Sequence, residues 1–155
     1  MKLTIHIATA ALAMLLIATF WVSTLATELF ASHQTVASVK WLIVYGMGLL
    51  IPSIATAGAT GNSLGRGWRL PAVARKKRRM GFIAANGLLI LLPSAVFLAF
   101  RAGAGQFDTL FYTVQALELI AGATNFTLMA LNMRDGRAIS RRKRTRPSTP
   151  KPQVA

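Results

Sequence analysis

Glu118 stands in the stretch FYTVQALELIAGATNF, residues 111 to 126, which is otherwise apolar enough to form the middle of a membrane helix. It is one of only four acidic residues in 155. Gln115, Glu118, Gly122, Asn125, Met129 and Asn132 step by three and four, so a helix places them on one face. A carboxyl group inside a bilayer costs about 2.5–3.5 kcal/mol on insertion scales, and such groups ordinarily mark function. Two kinds of chemistry suit it. Glu118 could take up and release a proton or a cation, as the coupling group of a carrier does. In that case a water-accessible cavity lined by Gln115, Asn125, Tyr45 and Asn86 is expected around it. It could equally be a structural carboxyl, hydrogen-bonded across helices to Gln115, Asn125 or Tyr45. Bonds of that kind are worth roughly 0.6–2 kcal/mol and select helix partners.

A second set of polar residues clusters around the expected outer turns: Glu28, His33, Lys40, Arg101 and Asp108. Interfacial salt bridges closing the end of a bundle account for them simply. A shallow site with His33 as a pH-sensitive group is the sharper account. Lys40 and Arg101 are expected at the interface, too far from Glu118 to pair with it.

These residues need a scaffold, and composition supplies its class. The chain is 54% hydrophobic and 14% charged. Apolar runs of about 20 residues read as membrane spans. Four are expected, at about 4–30, 39–60, 80–100 and 107–133, forming an all-α, up-down-up-down four-helix transmembrane bundle over residues 1–133. The first run continues well past the small residues that could end a signal peptide, so it is read as a retained span. Pro52 and Pro93 are expected to kink the second and third spans, and Gly46, Gly48 and Ala55 to permit close helix approach.

The basic residues are distributed unevenly. Lys2, seven in 61–79 and eight after Met133 fall on one side of an alternating bundle, leaving only Lys40 and Arg101 on the other. Loops rich in Lys and Arg stay cytoplasmic, so both termini and the central connector are expected there, in a bacterial-type inner membrane. Residues 134–155 are expected to be a basic, mostly disordered tail beyond a short helical extension. The dense runs Arg75, Lys76, Lys77, Arg78, Arg79 and Arg141, Arg142, Lys143, Arg144 read as contacts to anionic lipid. They contain no aromatic residue, which argues against nucleic acid as a partner.

Enzymatic and cofactor chemistry finds little to work with. The chain has no cysteine. Its two histidines, His6 and His33, are 27 residues apart, about 40 Å along a helix, and cannot share one haem iron. A haem held by one histidine and a methionine is a remote alternative. There is no HExxH or Walker loop, and GNSLG at 61–65, which fits the letters of GxSxG, follows an apolar helical run and not the strand that a nucleophile elbow needs. The expectation is a non-enzymatic accessory or scaffold subunit with no cofactor, partnered by lipid and by a second copy or another membrane protein. The alternative is a small proton- or cation-coupled transporter using Glu118.

Overall fold

The computed structural model describes the backbone of residues 1–64 and 71–144 and the side chains of residues 1–64 and 74–138. Residues 145–155 of the tail lie outside that range, as do the side chains of Arg141, Arg142, Lys143 and Arg144. Among the described residues every regular element is helical. α1 is Lys2–Phe30 and α2 is His33–Leu64. The third run comprises α3 (Pro71–Asn86), a π-helical segment (Gly87–Leu91) and α4 (Leu92–Gly103), followed by α5 (Thr109–Arg144). Four of these helical runs are long and apolar enough to cross a membrane.

The helices extend beyond the apolar runs for local reasons. Ser32 accepts a hydrogen bond from the Thr35 amide at 3.4 Å, and α2 starts at His33, six residues before the apolar run. Pro71 opens α3, where its missing N–H costs nothing. The basic run that follows contains good helix formers and no breaker. Asp108 caps α5 by accepting the Phe111 amide at 3.0 Å. That bond, with help from the guanidinium of Arg101, holds the Asp108 carboxyl below the usual carboxylate range.

α1 and α2 turn through Ala31 and Ser32, while the turn after α4 passes through Gly105 at φ 69°. There the Gln106 amide reaches the Arg101 carbonyl and the Gly105 amide the Ala102 carbonyl, so glycine's freedom in the left-handed region makes the tight turn possible. His33 stacks on Phe107 with ring centroids 4.1 Å apart, joining the two turns.

Packing follows a ring. α1 lies against α2 and α5, and the third run lies between α2 and α5. α2 and α5 sit diagonally, with no backbone approach within 8 Å among the described residues. Near the two short turns, Val36, Leu98, Ala102 and Phe111 form one buried cluster. Farther along, Ile43, Met47 and Ala95 form a second, and Ala13, Ile17 and Leu50 a third, with Phe20 wedged against both. A Cβ on Gly46 would come within 2.5 Å of the Phe20 ring, so the close α1–α2 approach expected from small residues occurs there. At Gly48 nothing approaches within 4 Å.

The prolines are accommodated differently. Pro52 sits inside an unbroken α2, and the Ser53 hydroxyl donates to the Leu49 carbonyl at 2.7 Å beside it. Pro93 follows the π-helical segment, where the Leu92 amide reaches five residues back to the Gly87 carbonyl. A proline ring crowds the carbonyl four residues before it, and a widened turn relieves that crowding.

Candidate functional site

Lys40 and Glu118 meet at the centre of the bundle. The Lys40 ammonium donates to Glu118 Oε2 at 2.6 Å, with the two side chains 1% and 11% exposed. This corrects the expectation that Lys40 lies too far from Glu118 to pair with it. α2 begins at His33, so Lys40 lies two turns inside it, about 10 Å from the helix start. Glu118 lies nine residues beyond the start of α5, about 14 Å in. The lysine stem covers the remaining offset. The pair therefore bridges the diagonal helices whose backbones stand apart.

Electrostatics explain why the two occur together. Either charge alone in an apolar interior would carry a desolvation cost of several kcal/mol, and a close partner offsets much of it. Glu28 of α1 feels the charges of Lys40, His33 and Glu118 but forms no ion pair with Lys40 or His33 among the described residues. Its Oε1 is buried without a hydrogen-bond partner among the described residues. Gln115, one turn from Glu118, is 4% exposed, and neither of its amide atoms has a partner there.

A small cavity of about 60 Å³ lies against Glu118, walled by apolar residues including Ile17, Phe20, Met47 and Leu91, and Lys40 does not line it. That is room for water but not for an organic solute. Beside it, Trp21 Nε1 donates to the Leu119 carbonyl at 3.0 Å and ties α1 to α5.

Asn125 and Asn86 belong to a separate level, two turns beyond Glu118. Asn86 Nδ2 donates to Asn125 Oδ1 and to the Ala121 carbonyl, both at 2.9 Å. Asn125 Nδ2 donates in turn to the Ile83 carbonyl at 3.3 Å, and Asn125 is 1% exposed. This clamp fastens α3 to α5 and makes no contact with the carboxylate. Tyr45 is elsewhere again: it is 71% exposed on the outward face of α2, near Trp41. The five residues grouped around Glu118 from sequence thus occupy three places.

Of the cluster expected at the outer turns, Lys40 belongs to the buried pair and Glu28 and His33 lie within its electrostatic reach, whereas Arg101 and Asp108 form their own salt bridge at the turn between α4 and α5. In the basic run, Arg75, Lys77 and Arg78 are exposed. Lys76 instead donates to His6 Nε2 at 3.5 Å, and Arg79 binds Asp135 at 2.8 Å. His6 Nδ1 donates to the Ala57 carbonyl at 3.0 Å and lies 3.2 Å from the Thr60 hydroxyl. The two histidines are occupied at opposite ends of the bundle. No group of three or more His, Asp or Glu side chains able to hold a metal occurs among the described residues.

With the geometry in hand, comparison with known proteins adds nothing to it: no family model, no curated protein and no solved structure matches the chain.

The Lys40–Glu118 pair is the feature that sequence reasoning missed. Its signal was Ser32, a good helix cap eight residues before Lys40, which moves the lysine from the edge of an apolar run to two turns inside a helix.

Proposed function

We propose that this chain is a small, non-enzymatic, multi-pass protein of a bacterial-type inner membrane. In this reading it serves as an accessory or scaffold subunit that binds its partner through helix faces and lipid through cytoplasmic basic segments. Large apolar side chains on the outside of the bundle support membrane residence, among them Leu15, Leu42, Leu89 and Ile120, each at least 64% exposed. Burial of these side chains in lipid removes an apolar surface that water would not tolerate. The observation carrying the scaffold reading is the pairing of polar side chains within the bundle. Lys40 pairs with Glu118, Asn86 bonds Asn125, and the cavity at Glu118 is too small for an organic substrate.

Transport of a proton or small cation is the second reading. It is favoured by the Glu28 carboxylate within electrostatic reach of the pair and by the water-sized cavity at Glu118.

Orientation and activity can be tested on the same preparations. The chain lacks cysteine, so Ala31→Cys and Ala138→Cys each introduce a unique label site. In intact cells an impermeant maleimide should label Ala31→Cys only, and the reverse pattern would invert the orientation. In proteoliposomes the parent chain should show no pH-driven flux above empty vesicles. Flux in the parent that disappears in Glu118→Gln, with the fold intact by thermal melting, would sink the scaffold reading.

A further inference from the structure

Where the first and last helices meet, α1 and α5 part to leave an open groove of about 600 Å³. Its apolar wall is built from Met14 of α1 and Ala130, Met133 and Ala138 of α5. Arg134 and Arg137 complete it, three residues apart and therefore on one side of α5.

Both guanidinium groups are largely uncommitted. The Arg134 side chain is 73% exposed, and its Nε comes only within 3.8 Å of Asp135, whose other oxygen is taken by Arg79. Arg137 is exposed and forms no ion pair among the described residues. An apolar trough with two free arginines at one end fits an amphiphile with an anionic head. Guanidinium presents a planar fork of donors that matches phosphate oxygens. A soluble anion would leave the trough unfilled.

We infer that this groove holds a single anionic phospholipid, its phosphate between Arg134 and Arg137 and an acyl chain along Met14, Ala130 and Met133. Position agrees with this assignment, which rests on the membrane reading above. Arg134 lies 25 residues past the start of α5, about 37 Å along the helix and so beyond a hydrocarbon core of about 30 Å, among the headgroups. The lipid would fill the seam that closes the ring of helices. It differs from diffuse attraction to the basic runs in being stoichiometric and in depending on two named residues.

The test uses full-length protein reconstituted with equal phosphatidylglycerol and phosphatidylcholine, then extracted gently and weighed intact by native mass spectrometry. The parent chain should retain one phosphatidylglycerol in at least tenfold preference to phosphatidylcholine. Arg134→Gln/Arg137→Gln should lose that preference, whereas Lys77→Gln/Arg78→Gln should keep it. Arg134→Lys/Arg137→Lys guards against misfolding and should keep part of it. Equal retention of both lipids by the parent, or unchanged retention by the glutamine pair, overturns the inference, and so does displacement of the lipid by glycerol phosphate alone. Carbonate washing of native membranes separates this failure from the broader one. A chain washed off sinks the membrane reading, whereas a chain that stays but does not discriminate sinks only the lipid site.

Discussion

Lys40→Met should destabilise the protein by about 3–5 kcal/mol, the cost of leaving one member of a buried ion pair without its partner. Methionine keeps most of the lysine stem, so the change isolates the charge. Lys40 is 1% exposed and Glu118 11% exposed, so little solvent is on hand to screen the orphaned carboxylate. Glu118→Gln leaves the ammonium stranded instead and should also destabilise. Lys40→Met/Glu118→Leu removes both charges and should recover most of the loss, because an apolar pair of similar size often replaces a buried ion pair at little cost. Reversible unfolding in mixed micelles measures all four proteins of this cycle. Additive single effects would show that the two residues do not interact, and the account of the bundle centre would have to be abandoned.

Phe111→Ala is the second large effect, expected at about 3–5 kcal/mol. The ring is 0% exposed and packs with Val36, Leu98 and Ala102, while Phe107 sits against it with centroids 4.9 Å apart. Truncation removes that contact and leaves a void that neighbours on three helices cannot fill by collapsing. The adjacent Leu110 is 50% exposed, and its replacement by alanine should change stability by no more than about 0.5 kcal/mol. Equal losses from the two variants in the same micelles would mean that the cluster at this end is not the core it is taken to be.

The helices themselves were legible in the sequence because about 20 apolar residues in a row have few alternatives. The stripe on α5 was legible too. Gln115, Gly122, Asn125 and Asn132 are all buried, as the three-and-four spacing requires. The second helix shows where such reading stops. Tyr45, Gly48, Pro52 and Ala55 do share a face, but all four are exposed, and the inward face carries Lys40, Ile43, Met47 and Leu50. In a water-soluble helix the apolar side identifies the core. Here both faces are apolar, so periodicity groups residues without saying which group points inward.

Lys40 illustrates a second limit. A lysine near the end of an apolar run is ordinarily read as marking a boundary, since its long stem lets the charge reach water. Here the helix begins earlier and the stem reaches inward, to a carboxylate 78 positions later in the chain. Pairing at that separation is a tertiary fact, and local sequence contains only a hint of it in Ser32.

The widened turn at Gly87–Leu91 has a consequence for how the third run meets its neighbours. Ile83 and Asn86 before it approach α5, whereas Ser94, Ala95, Leu98, Ala99 and Ala102 after it are the buried residues of α4. At the 100° per residue of an α-helix, these two sets would point in directions about 120° apart, and one of them would be turned aside from the bundle interior. A turn closed five residues back takes up one residue more than an ordinary turn, which sets everything after it back by roughly that angle. The two half-stripes become one continuous inward surface. The π-helical segment thus acts as a phase correction, letting one helix keep the same side toward its neighbours from the Asn86 clamp to the turn after α4.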